Sequence, residues 1–233
     1  MYNESSEYYD LIYNFKDYKK ESDELLEFIS THHKSATTLL DIACGTSEHH
    51  KYLKKKFKIC GIDLKAEFIE IARKKNPDIN YFVADMSNFN LNKSYDVITC
   101  LFSSIGYLHS VEVLNATLKC INNHLNKGGL FILEPWFTPE NFHNGTVNSL
   151  SCGDKNLRVC RVTHNYPENG FSILNFHYMV ATVKEGVKYF MEIHKLKLFT
   201  RDEICDAFKN NGFDIEHSEK GLTERGIYFG KKK

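Results

Sequence analysis

The strongest constraint on this chain is a regular alternation. Short β-rich apolar runs are interleaved with helical stretches from about Thr37 to Trp136. TTLLDIAC (Thr37 to Cys44) reads as a buried strand, ends in Gly45-Thr46-Ser47, and leads into a Lys-rich helix. KICGID (Lys58 to Asp63) follows as a second strand, with a helix AEFIEIARKKN that stops at Asn76-Pro77. NYFVAD (Asn80 to Asp85) and SYDVITCLF (Ser94 to Phe102) are the third and fourth strands. A helix VEVLNATLKCINNHL, stopping at Lys127-Gly128-Gly129, precedes the fifth, LFILEPW (Leu130 to Trp136). Strands and helices in this order imply βαβ units around a parallel sheet. Such a sheet takes its ligands at the carboxyl ends of its strands.

The flanking segments obey other periods. The first 35 residues have apolar residues at helical spacing, Leu11, Ile12 and Phe15, then Leu25, Leu26, Phe28 and Ile29. From about Thr146 to Phe199 three β-rich stretches, LRVCRVTHNY, FSILNFHYMVATV and VKYFMEIHKLKLF, are separated by Asn169-Gly170 and Glu185-Gly186. They predict an antiparallel meander inserted into the α/β domain. A helix (Arg201 to Asn211) then leads through Gly212 to FDIEHSE. GIYFG (Gly226 to Gly230) ends the sheet as a hairpin partner. The 233 residues are read as one domain, since 42% hydrophobic residues suffice for a sizeable core.

Charge and cysteine usage exclude several functions. Lys+Arg and Asp+Glu both number 30, so no global field attracts nucleic acid or anionic lipid. The terminal Lys231, Lys232 and Lys233 read as a solvated end. The polar start MYNESSEYYD is no signal peptide, and no apolar run approaches the length of a membrane helix. Seven cysteines without a CxxC pair suggest reduced thiols in a cytoplasmic protein. The 11 histidines are dispersed, and no metal site is expected.

Four features fall at the ends of the first four strands. The turn Asp41-Ile42-Ala43-Cys44-Gly45-Thr46 has the small residues that let a backbone approach a ligand. It is neither GxGxxG nor a P-loop, which argues against a dinucleotide and a nucleoside triphosphate. Asp63, ending the second strand, can accept both hydroxyls of a ribose. It can equally cap the helix that begins at Leu64 or Lys65. Asp85-Met86, ending the third, offers an acceptor and an apolar face, or simply a turn. Leu101-Phe102-Ser103-Ser104 follows the fourth.

The joint occurrence of these four features resembles the class I methyltransferases that use S-adenosylmethionine. The resemblance implies an α/β, Rossmann-like, seven-stranded and mostly parallel sheet with an antiparallel β insertion after the fifth strand. It implies Gly45 beside the methionine part of the cofactor, Asp63 at its ribose and Asp85 at its adenine. Ala43, Thr46, Leu64, Met86, Ser87 and Leu101 complete the expected cofactor contacts. The aromatic N-terminal helix (Tyr8, Tyr9, Tyr13, Tyr18) fits a lid, with Tyr9 and Tyr18 as cofactor contacts. The family turn often reads Gly-x-Gly, whereas Ser47 occupies the second glycine here. A Ser at positive φ is strained, so the turn either avoids that conformation or shifts.

A narrower resemblance covers nearly the whole chain, from Tyr9 to Gly230. TTLLDIACGT, IEIARKKNPD, VITCLFSSIGYL, ILEPWFTPENF, CRVTH, FHYMV and LFTRDE are similar to the sugar N,N-dimethyltransferases of desosamine and mycaminose biosynthesis. These act on dTDP-linked amino sugars. The resemblance implies substrate contacts at Arg225, Arg161, Tyr2, Ser103, Ser104, Trp136 and Phe137. Arginine suits a diphosphate because its planar fork donates in pairs. Tyr107 stands where the macrolide enzymes carry a His beside the reacting amine. A phenol, with pKa about 10, is a poor base at neutral pH. Tyr107 is therefore expected to orient the amine. His109 is a second candidate for proton transfer, although a helix start would turn it away. The insertion is expected to form the interface of a homodimer, because exposed strands are otherwise sticky. The alternatives are another small amine, carboxylate or hydroxyl acceptor, or a non-catalytic module that binds S-adenosylmethionine.

Overall fold

The computed structural model describes residues 3–143 and 145–233. It contains two sheets. The larger has seven strands: β1 (Thr38–Ile42), β2 (Lys58–Asp63), β3 (Asn80–Val83), β4 (Tyr95–Cys100), β5 (Leu125–Leu133), β10 (Phe213–Ser218) and β11 (Ile227–Lys232). Their spatial order is β10-β11-β5-β4-β1-β2-β3. β1 pairs in parallel with β2 and β4, β2 with β3, and β4 with β5. β11 runs antiparallel to both β5 and β10. It therefore lies inside the sheet, and its hairpin partner β10 takes the edge.

Helices α2 (Tyr18–His32), α3 (His50–Leu53), α4 (Ala66–Lys75), α5 (Val111–Asn123) and α6 (Arg201–Asn210) cover this sheet, while α1 (Tyr9–Ile12) packs against the second. Their starts follow capping chemistry. Asp17 and Ser110 accept N-terminal N–H groups of α2 and α5, and Thr200 with Glu203 closes a capping box on α6. The expected Lys-rich helix after Gly45 is only the single turn α3. α5 ends at Asn123 and β5 already starts at Leu125, so Lys127-Gly128-Gly129 lies within the strand. Leu39, Leu40 and Ile42 of β1 are fully buried because both faces of the central strand are covered.

The chain order reverses beside β1. β2 and β3 lie on one side and β4 and β5 on the other. This is the topological switch point at which open α/β sheets bind ligands.

The second sheet is antiparallel, in the order β6 (Thr146–Gly153), β7 (Leu157–Glu168), β8 (Phe171–Thr182) and β9 (Gly186–Lys197). It has one strand more than the sequence predicts. The extra strand TVNSLSCG is too rich in serine and glycine to be read as one. Asn169 and Gly170 both take positive φ, 50° and 77°, as a two-residue hairpin requires. The inner face packs Val159, Phe176, Tyr178 and Leu196 against Ile12 and Tyr13 of the N-terminal segment. The outer face leaves Val147, Val162, Met179, Val187, Tyr189 and Met191 exposed.

Candidate active site

A cavity of about 570 Å³ opens between the carboxyl ends of the parallel strands and the inner face of the second sheet. This volume is within the range of small-molecule sites.

On its first wall, the turn after β1 departs from ordinary backbone three times. Ala43, Gly45 and Ser47 have φ of 54°, 55° and 63°. Ser47 thus adopts the left-handed conformation itself, so the turn does not avoid positive φ there. Each non-glycine residue there costs about 1–2 kcal/mol. The turn is fixed by Ser47 N–H donating to the Cys44 carbonyl and by Asn76 Nδ2 donating to the Ser47 carbonyl. Beneath it the buried Asp41 accepts from Thr99 Oγ1 at 2.6 Å and lies 3.0 Å from His50 Nε2, while His50 Nδ1 meets Tyr81 Oη at 2.8 Å. A Cβ added at Gly45 would meet no atom within 4 Å, so the backbone there fronts open space.

Asp63 faces this space and is almost fully buried. Its Oδ2 accepts the Gly45 N–H at 2.9 Å and its Oδ1 the Lys65 N–H at 2.8 Å. It therefore lines the cavity and also steadies the start of α4. Two bonds leave lone pairs on both oxygens. Burial raises its pKa above the ordinary value, and the two N–H bonds only partly offset this. Leu64, Met86, Ser87 and Asp85 line the same wall. Ser87 donates to Asp85 through both its N–H and its hydroxyl, and both bonds go to Oδ1.

Tyr9 lines the cavity from α1. Its segment is tied to the β1 turn by Thr46 Oγ1 donating to Asp10 at 2.6 Å. Thr46, Tyr18 and Leu101 line a smaller adjoining recess rather than the cavity itself. That recess shares Tyr9, Ala43 and Gly45 with the cavity.

On the opposite wall, Phe102 and Ser103 are both left-handed, with φ of 51° and 62°. The Phe102 N–H donates to the buried Glu134 at 2.6 Å, and Ser103 Oγ donates to the Pro135 carbonyl at 2.7 Å. A 3-10 turn, Ser104–Tyr107, follows. A Cβ at Gly106 would come within 3.1 Å of Leu196 and of Trp136, so glycine lets this turn press against β9. That approach brings Tyr107 Oη to 2.6 Å from His194 Nδ1. Ser103, Ser104, Tyr107, Trp136, Arg161 and Arg225 all line the cavity. So does His109, contrary to the expectation that a helix start would turn it away, because α5 begins only at Val111.

Arg225 donates Nε to the Pro135 carbonyl at 3.1 Å and Nη2 to Glu134 at 3.3 Å, with its guanidinium 5.5 Å from the Trp136 and Phe137 rings. Arg161 sits 4.5 Å from the Phe176 ring and donates to the Tyr13 hydroxyl at 3.2 Å. Phe137 is not on the cavity wall; its ring packs on Trp136 and Phe142. Tyr2 lies outside the described residues.

Sequence reasoning missed Glu134, Glu192 and His194. Glu134 was visible as the acid ending the fifth strand. Glu192 and His194 alternate with Phe190 and Leu196, which marks them as pointing inward with the apolar residues.

A switch-point cavity with a buried carboxylate on its wall and no phosphate-loop sequence is the layout of a small-molecule site. The chain matches the methyltransferase-domain family over residues 13–218 and belongs to it. The chain is 35% identical over 230 residues to the dTDP-3-amino-3,6-dideoxy-alpha-D-glucopyranose N,N-dimethyltransferase of Streptomyces fradiae, covering 97% of this chain and 90% of that one. The crystal structure of Streptomyces venezuelae DesVI superposes with a TM-score of 0.93 at 32% identity over 100% of both chains. Another neighbour is CalS10 with bound S-adenosylmethionine, an amino pentose methyltransferase from Micromonospora echinaspora (TM-score 0.88, 26% identity, 100% and 98% covered). The protein is an α/β methyltransferase that uses S-adenosylmethionine. The donor set fits this cofactor: a carboxylate with spare lone pairs for ribose, an open glycine backbone and an apolar wall.

Proposed function

We propose that this enzyme mono- or dimethylates the amino group of a dTDP-linked amino-deoxy sugar, a 3-amino-3,6-dideoxyhexose being the favoured acceptor. The single observation that carries this reading is the continuity of the cavity. Asp63, Gly45 and Asp85 line it together with Tyr107, Trp136, Arg161 and Arg225. The printed substrate of the Streptomyces fradiae relative supports the choice of sugar.

When bound, S-adenosylmethionine would supply an electrophilic methyl to the acceptor nitrogen, with sulfur as the leaving group. Asp63 would hold the ribose, Asp85 the adenine, and Tyr9 would cover the site as part of the N-terminal lid. Arg161 and Arg225 address the diphosphate. Arg225 spends two of its five donors on Glu134 and Pro135, which fixes the fork while leaving donors for phosphate. Among the described residues Arg161 has no carboxylate partner and donates to the Tyr13 hydroxyl, so it brings positive charge to this wall. Trp136, tethered through Nε1 to Ser172 Oγ at 2.7 Å, offers its ring to the base or sugar. Tyr107 meets the amine. Holding nitrogen and methyl in line can remove up to roughly 7–11 kcal/mol of the barrier.

The insertion at residues 146–199 supplies the acceptor wall and a dimer interface. Its outer face exposes Val147 (72%), Val162 (54%) and Tyr189 (62%), an apolar surface that a second copy would cover. Light scattering at micromolar concentration tests this, and a monomer would sink it. All seven cysteines are free thiols, in keeping with a cytoplasmic enzyme.

The deciding experiment is mass spectrometry of purified enzyme with S-adenosylmethionine and a panel of dTDP-3-amino- and dTDP-4-amino-6-deoxyhexoses. A gain of two methyls on a 3-amino sugar is expected. Preference for a 4-amino sugar would redirect the substrate to that class, and no turnover on any sugar would overturn the reading.

A further inference from the structure

Three segments far apart in sequence meet on one buried carboxylate. Glu134, just past the end of β5, is only 2% exposed. Its Oε2 accepts the Phe102 N–H at 2.6 Å. Its Oε1 accepts the Thr223 hydroxyl at 2.7 Å and Arg225 Nη2 at 3.3 Å. The next residue repeats the pattern. The Pro135 carbonyl accepts from Ser103 Oγ at 2.7 Å and from Arg225 Nε at 3.1 Å. Residues 134 and 135 thus grip the 102–103 corner on one side and the 223–225 segment on the other.

Both partners need that grip. Phe102 and Ser103 are left-handed, a conformation that non-glycine residues keep only where their surroundings impose it. The segment carrying Arg225 lies between β10 and β11, outside either strand, so no ladder holds it. A loose arginine must give up rotamer freedom when it meets an anion, whereas one already bonded at Nε and Nη2 has done so beforehand. Those two bonds use one edge of the guanidinium. The other edge, Nη1 with the second Nη2 hydrogen, is left for the cavity that Arg225 lines. Glu134 itself does not line that cavity.

We infer that Glu134 is the positioning residue of the acceptor wall. It aims the outer edge of Arg225 at the diphosphate, and it fixes the corner that leads into the Ser104–Tyr107 turn relative to that anchor. The inference rests on the amino-sugar reading above. It also runs against simple charge counting. Glu134 places a negative charge 3.3 Å from the cation that meets the diphosphate. If charge alone mattered, removing it would tighten anion binding. If aim matters, removing it weakens binding.

Glu134→Gln separates the two. Its amide oxygen still accepts the Phe102 N–H, while its NH2 faces Thr223 and Arg225 Nη2. Thr223 can turn to accept, but Arg225 cannot, so the corner is spared and the arginine is released. The measurements are dTDP affinity by calorimetry, and kcat and KM on the dTDP-amino sugar that the wild type methylates, with S-adenosylmethionine affinity as the check of folding. In the variant dTDP should bind about tenfold more weakly and KM for the sugar should rise about tenfold, the worth of one hydrogen bond to a charged group. The kcat at saturation and the cofactor affinity should stay within about twofold of wild type. In an Arg225→Ala background the same substitution should change dTDP affinity by less than about twofold, because the partner through which Glu134 acts is gone. Unchanged or tighter dTDP binding in Glu134→Gln would overturn the inference, and so would losses that multiply in the double variant. Wild-type enzyme that neither binds dTDP nor methylates any of the sugars would overturn the substrate reading instead. Should Glu134→Gln fail to fold, Thr223→Val removes the other donor that ties this segment to Oε1. A rise in KM without a fall in kcat is expected there too, and an unchanged KM would sink the inference.

Discussion

Asp63 and Glu192 are both nearly buried carboxylates, and the structure treats them in opposite ways. Glu192, on the antiparallel sheet, accepts from Asn3 and Ser5 and is drawn down to a pKa of about 2 because those donors and His194 outweigh its burial. Asp63, at the end of β2, accepts two N–H bonds, and burial still wins, raising it. The first is satisfied by its own protein. The second carries lone pairs that only a ligand can finish satisfying. The contrast separates two walls of the cleft: the wall at the ends of β1 and β2 presents an under-bonded acid, and the antiparallel sheet presents a carboxylate that its own donors already satisfy.

Four experiments break or sharpen that contrast. The largest effect is expected where the two halves meet. Glu134→Ala strands the half-buried Arg225 guanidinium and the Phe102 N–H, and should cost about 3–5 kcal/mol in denaturant unfolding. Next is acid stability. Glu192 is lower in the folded protein than unfolded, so its contribution is complete above about pH 4.5 and lost as pH falls through about 2. It amounts to at most about 3 kcal/mol. Glu192→Gln should remove most of it at neutral pH and flatten the acid limb of a Tm against pH curve. Asp63 behaves in the opposite sense. Asp63→Ala should weaken S-adenosylmethionine by about 2 kcal/mol in calorimetry. In wild type the affinity should begin to fall at a higher pH than an ordinary carboxylate dictates, because protonation removes the acceptor. The smallest effect is Gly45→Ala. The added methyl meets open space, so only the φ of 55° is penalised, by about 1–2 kcal/mol in stability. A much larger loss of cofactor affinity would show that the methyl occupies ligand space.

The parallel half was legible in the sequence because its signals are local. A strand run, a small-residue turn and an acid at each strand end recur in order, and Asp63, Asp85, Gly45 and Leu64 all reach the cavity. Thr46, Tyr18 and Leu101 line the adjoining recess instead, since spacing along a strand end does not fix which side of a turn a residue faces. The insertion was legible as β structure from Asn169-Gly170, but β6 was not, because its pairing with β7 comes from tertiary context and not from its own residues. His194 was illegible for a related reason. Its partner Tyr107 lies 87 residues away, and no sequence period spans that distance.

The alternation of the inserted strands has one more consequence. Arg161 faces the cavity and its neighbour Val162 faces outward; Phe176 turns in and Met179 turns out. Adjacent codons therefore answer to different masters. Drift at one site alters which molecule is accepted, and drift at the next alters which surface meets a neighbour. A lineage could change its chemistry along this ribbon while keeping its quaternary habits, or the reverse, because natural selection reads the two faces separately.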